Sequence, residues 1–184
     1  MTHLPDIPCG DVGLLVGPNA ERDTMLTLTA HLALKYPVHI IDAGNQFNVY
    51  CFTRHLRRHT VELDTTLGRI HVARAFTCYQ VLTLFRQAVI GAEQDRRETT
   101  VSPLLIFDLL STFGDESITV AESYRLLYLV CRDITTLRPP GPILVSVRLP
   151  PQPERHGLLK PLRQLADQIF YREAAPQKAQ PRLF

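Results

Sequence analysis

The sequence predicts an α/β fold, a three-layer sandwich with a central, mostly parallel sheet. Three observations predict it. Short apolar runs alternate with longer segments of helical period along nearly the whole chain. Most of those apolar runs lack polar alternation, as strands covered on both faces do. At 184 residues, 45% hydrophobic and 21% charged, the chain suits one domain with a real core.

The elements follow in order. VGLLVG (12–17) reads as a buried strand. TMLTLTAHLALK (24–35) reads as a helix with Met25, Leu28, Thr29 and Leu32 along one face, and Pro37 stops it. VHIID (38–42) is a second strand, and VYCFTRHLRRH (49–59) a short helix with a basic end. RIHVARA (69–75) alternates as a third strand, and YQVLTLFRQAVIGAE (79–93) is a helix. After a charged loop, EQDRRETTVS (93–102), comes the strongest strand, PLLIFDLL (103–110), where Pro103 is tolerated as a first residue. The clearest helix carries Val120, Tyr124, Leu127, Cys131 and Ile134 on one face. RPPGP (138–142) breaks the chain, and ILVSV (143–147) and DQIFYR (167–172) are further strands. The expected organisation is one domain over 1–173 and a disordered Pro-, Ala- and Gln-rich tail over 174–184.

Charge and cysteines bound the function classes. A net charge of +2 says little about partners, although most of the positive charge is Arg, whose fork suits phosphates and carboxylates. Cys9, Cys51, Cys78 and Cys131 lie too far apart for a zinc or redox motif, and their apolar contexts predict four small buried residues. No segment is long and apolar enough to span a membrane. The expectation is a soluble intracellular chain. No nucleophile or zinc-protease motif is present, and Ser111 and Ser146 are isolated. His55 and His59 stand at metal-ligand spacing, but no carboxylate or Cys lies in register with them.

Ligands of parallel sheets sit at the carboxyl ends of strands, which places candidate residues at 17–24, 42–47, 75–77, 108–113 and 147–151. There a resemblance emerges. IPCGDVGLLVGPNAERDT (7–24) resembles the entry to the ATPase core of RecA-type recombinases, especially the RadA branch. IIDAGNQF (40–47) is similar to that family's second strand, RIHVARAFTCYQ (69–80) to its Ala-Arg-Ala-Phe/Tyr stretch, and LLIFD (104–108) to a Walker B strand. ILVSV and LADQIFYRE resemble the last core strands, so the likeness runs in order from about residue 5 to 173. It implies a P-loop NTPase fold.

The departures imply a degenerate nucleotide site. Counted from Gly17, a P-loop asks for glycine, lysine and a hydroxyl, and the chain offers Arg22, Asp23 and Thr24. Asp23 stands where the family places its phosphate-neutralising Lys. Like charges ~4 Å apart repel by about 4 kcal/mol at an effective dielectric near 20. The water-activating Glu after the second strand maps onto Gly44, with Asp42 two residues before it. Asp108 keeps the Walker B position, and the polar sensor maps onto Ser146, Val147 and Arg148. The resemblance therefore implies a pseudo-ATPase with no resident cofactor and Mg-ATP in doubt. It would act as a recombinase paralogue or accessory subunit, binding recombinase or paralogue subunits in a homo- or hetero-oligomer.

DNA is the other implied partner. Of the two loops that hold DNA in the family, the first maps onto the acidic LLSTFGDESIT (109–119). The second maps onto RLPPQPERHGLLKPLR (148–163), with Arg148, Arg155, His156, Lys160 and Arg163. FRQA (85–88) is similar to the family's Phe-x-x-Ala hook, but within an amphipathic helix Phe85 reads as core. Two other readings stand beside this one. One is a divergent ATPase in which Arg22 replaces the Lys and Asp108 holds Mg²⁺. The other is a protein-interaction module with no nucleic-acid role.

Overall fold

The structure, a computed structural model, describes residues 7–95, 101–137 and 141–172. The elements run β1 (Val12–Val16), α1 (Arg22–Ala33), β2 (Val38–Asp42), α2 (Val49–Leu56), α3 (Leu63–Leu67), β3 (Ile70–Arg74) and α4 (Cys78–Asp95). There follow β4 (Leu104–Phe107), α5 (Leu110–Phe113), α6 (Val120–Leu137), β5 (Ile143–Val147), a 3-10 helix (Pro153–Leu158), α7 (Leu159–Leu165) and β6 (Gln168–Tyr171). Among the described residues six strands make one sheet in the order β3-β2-β4-β5-β1-β6, and every pair is parallel.

Layering follows from the apolar runs. Residues of β1, β2, β4 and β5 are buried throughout, because helices cover both faces of the sheet. On one face Met25, Leu26 and Leu28 of α1 and Phe52 and Leu56 of α2 join Leu15, Ile40, Leu105, Phe107 and Leu144. On the other, Val81 and Phe85 of α4, Leu127, Val130 and Ile134 of α6 and Leu162 of α7 join Leu14, Ile41, Ile106 and Val145. Each such side chain contributes on the order of 1.5–3 kcal/mol through lost apolar exposure. The three-layer α/β sandwich read from the sequence is the fold, and Phe85 lies in its core.

The structure corrects several element boundaries. The strand expected over 103–110 ends at Phe107, because Asp108 takes a left-handed φ of 48° and turns the chain into α5. The segment 148–163 holds a 3-10 helix and most of α7 in place of an open loop. Helix α3 was not anticipated; its apolar Leu63 and Leu67 lie only one turn apart, too short a pattern to register as a period. Cys78 and Cys131 are buried as expected, whereas Cys51 is half-buried and Cys9 exposed. The loop over 93–102 begins later than expected, since α4 continues to Asp95. Residues 96–100, 138–140 and the tail 174–184 lie outside the described residues.

Candidate functional site

The carboxyl end of β1 leads into the loop that the sequence singled out. Gly17 donates its N–H to the Val147 carbonyl (3.1 Å), fixing the loop's start to the end of β5. Ala20 and Glu21 both adopt a φ of 49°, unusual for residues with a Cβ, and this pair folds the chain back before α1 begins. The consequence falls on Glu21. Its side chain is 11% exposed, and Thr24 Oγ1 donates to its Oε2 at 3.0 Å. Arg172 Nη1, just beyond β6, lies 3.3 Å from the same oxygen. Its other oxygen lies over Gly17, where an added Cβ would collide with Oε1. A cleft of about 280 Å³ opens beside these groups, lined by Asn19, Asp23, Gln46 and Arg172 among others.

Arg22 and Asp23 face the solvent side of this loop. Their side chains are 44% and 78% exposed and 3.5 Å apart, so each screens the other's charge. Asp23 stands in the first turn of α1, where the helix dipole favours a carboxylate. Arg22, the cation that the divergent-ATPase reading puts in place of the Lys, thus already has a partner.

The carboxyl ends of β2, β4 and β5 hold the remaining candidates. Asp42 is fully buried and fully used: its Oδ1 accepts the Gln46 N–H (2.8 Å), and its Oδ2 accepts the Phe47 N–H (3.1 Å) and meets Arg74 Nε (3.2 Å). Asp108 is equally buried. Its N–H donates to Ser146 Oγ (3.1 Å), and its Oδ1 accepts the Arg148 N–H (3.3 Å). Arg148 Nε lies 2.9 Å from Oδ2 but out of line, so that oxygen has an ion pair and no hydrogen bond. Burial pushes the Asp108 carboxyl above its usual range, the Arg148 guanidinium and amide pull it back, and Asp42 adds a smaller push upward. Gly44 abuts this carboxylate. A Cβ there would collide with Asp108 Cβ and lie 2.5 Å from Oδ2. Position 44 therefore has no room for any side chain while Asp108 keeps its place.

The basic segment divides. Arg155 is buried and donates to the Phe113 carbonyl (3.0 Å), Ser123 Oγ (3.0 Å) and the Ile118 carbonyl (2.6 Å). It is a structural tie and presents nothing to a phosphate, which corrects the expectation for this residue. Arg148 is committed to Asp108. His156, Lys160 and Arg163 remain exposed, together lining a groove of about 440 Å³, and Arg163 sits 5.9 Å over the Tyr171 ring. The basic end expected on the helix over 49–59 lies partly outside it, because α2 ends at Leu56 and places Arg58 and His59 in the turn beyond. No group of histidines, cysteines and carboxylates among the described residues is arranged to hold a metal. No helix among them is long and apolar enough to cross a membrane.

Sequence reasoning brought Gly17 and Thr24 into one loop and Gly44 beside Asp108. It missed Glu21, Arg172 and Arg74. A local signal for Glu21 existed in the spacing of an acid three residues before Thr24, which lets the two side chains meet at the start of a helix. No local signal exists for Arg172; only the pairing of β1 with β6 brings it to the loop. Compared with known proteins, the sequence matches no family model, and no curated protein matches it.

Proposed function

We propose that this chain is a catalytically degenerate RecA-type protein, an accessory subunit of DNA recombination or repair that acts through partner subunits and DNA without turning over a nucleotide. One observation carries the loss of chemistry: at Gly17–Thr24 the Glu21 carboxylate lies over Gly17 and takes the Thr24 hydroxyl and the Arg172 guanidinium, where a phosphate would meet a carboxylate in place of a Lys. Two more agree with it. Asp108 faces Arg148 as a charge partner, and Gly44 has no space for a catalytic acid. The role in recombination rests on the sequence resemblance. The test is calorimetry of the wild-type protein with Mg-ATP. No binding at millimolar nucleotide is expected, and micromolar binding would overturn the reading.

The burial of Arg155 and the pairing of Arg148 favour a second reading, an interaction module with no nucleic-acid role. Only His156, Lys160 and Arg163 are left of the candidate phosphate contacts. Fluorescence anisotropy with single- and double-stranded DNA at low salt separates the two. On the first reading binding occurs, and Lys160→Ala and Arg163→Ala each lower the salt slope by about 1. On the second, no binding occurs at any salt.

A further inference from the structure

We propose that Glu21 is a resident anion: its carboxylate occupies from within the chain the place an oxyanion would take, and it clasps the start of α1 to the end of β6. The proposal rests on reading 17–24 as a former phosphate cradle.

Two neighbours in the same loop and one residue from the far end of the chain surround this carboxylate. Gly17 supplies a floor with no side chain, and a Cβ there would displace Oε1 from its present place. Thr24, one turn into α1, supplies a hydroxyl donor at 3.0 Å. Arg172, from the far end of the chain, supplies a guanidinium at 3.3 Å. A hydroxyl and a guanidinium are donors that suit a tetrahedral oxyanion as well as a carboxylate, and the glycine leaves space beside them. The left-handed turn at Ala20 and Glu21 aims the side chain inward, and there it is largely shielded from water. Asp23 stands on the rim and opposes an incoming anion, but Arg22 offsets its charge at 3.5 Å.

The clasp has a structural purpose. In a nucleotide-binding loop the bound phosphate organises the backbone, and an empty loop would leave Arg172 unpaired and the start of α1 loosely held. A carboxylate carried by the loop itself removes that dependence. The fold is then locked in one state whatever the nucleotide supply.

Inorganic pyrophosphate is the probe, used in calorimetry and thermal melting on the full chain. Wild type is expected to show no saturable response. Glu21→Gln keeps the shape of the side chain but frees the Arg172 charge, and it should bind pyrophosphate at least about tenfold tighter than wild type. Glu21→Ala should melt at lower temperature and recover with added pyrophosphate, while Glu21→Ala combined with Arg172→Ala should not recover. Folded Glu21→Gln protein that responds no more than wild type would overturn the clasp, and this holds even where Glu21→Ala fails to fold. Wild type that binds pyrophosphate would overturn it as well. Wild type that binds Mg-ATP would instead retire the loss of nucleotide chemistry, so the two failures are distinguishable.

Discussion

Asp108 combines a buried charge with a left-handed backbone, and both properties fix what can replace it. Asn tolerates that φ and still accepts the Arg148 N–H, so Asp108→Asn should fold with little loss. Its signature is in the pH dependence. The folded carboxyl titrates above its ordinary value of 3.8, so between that value and the folded pKa the native state binds more protons than the unfolded state. Stability from this group is therefore present at acid pH and falls as pH rises through the folded pKa. Wild type should gain stability over Asp108→Asn as pH is lowered toward 3.8, by about 1.4 kcal/mol for each unit of the upward shift. Melting curves of the two proteins across that range give the difference directly. Identical slopes would show that Arg148 cancels the cost of burial. Gly44 belongs to the same balance, since any side chain there would push the carboxylate off Arg148.

At the scale of elements, Arg155 shows how a sequence pattern misleads. In RLPPQPERHGLLKPLR the cations look like a phosphate-facing loop, because a solvated loop and a 3-10 helix have the same polar composition. What decides is distant: the carbonyls of Phe113 and Ile118 and the hydroxyl of Ser123 converge where no local period could announce them. Arg155→Ala should cost about 2–4 kcal/mol, since three charge-assisted hydrogen bonds go and the Ile118 carbonyl loses its donor, while Ser123 Oγ still donates to the Phe113 carbonyl. Lys160→Ala and Arg163→Ala on the exposed side should cost within about 0.5 kcal/mol. Urea midpoints of the three variants separate the structural cation from the surface ones. The legible parts of the chain were those whose cause is local. The mainly apolar runs of β1, β2 and β5, without polar alternation, announced buried strands, and the period of α6 announced its face. The end of β4 was not legible, because Leu109 and Leu110 continue an apolar run while the backbone of Asp108 has already left the strand. Of the candidate site, the loop and its neighbours could be read, but its occupant could not, since half of the grip on Glu21 comes from Arg172.

At the scale of the whole molecule, the two cores account for the behaviour of the thiols. Cys131 is buried on the core face of α6, and its thiol is pushed up to about 12 by loss of water; burial raises Cys78 as well. Neither is a thiolate at neutral pH, and neither is reachable. A thiol reagent should therefore label Cys9 quickly, Cys51 more slowly, and Cys78 and Cys131 only when denaturant opens the fold. Fast labelling of all four in the native protein would contradict the two-sided packing. The sheet order carries a further consequence, for synthesis. The strand β1 lies between β5 and β6, and its N-terminal amide at Val12 is held by the Asp167 carboxylate (2.8 Å). In chain order β1 thus precedes both of its neighbours, β5 and β6, and finds them only when they have emerged in turn. Until then the apolar run of β1 has no partner on either edge, and the nascent chain depends on slow closure or on chaperones to keep it from pairing elsewhere.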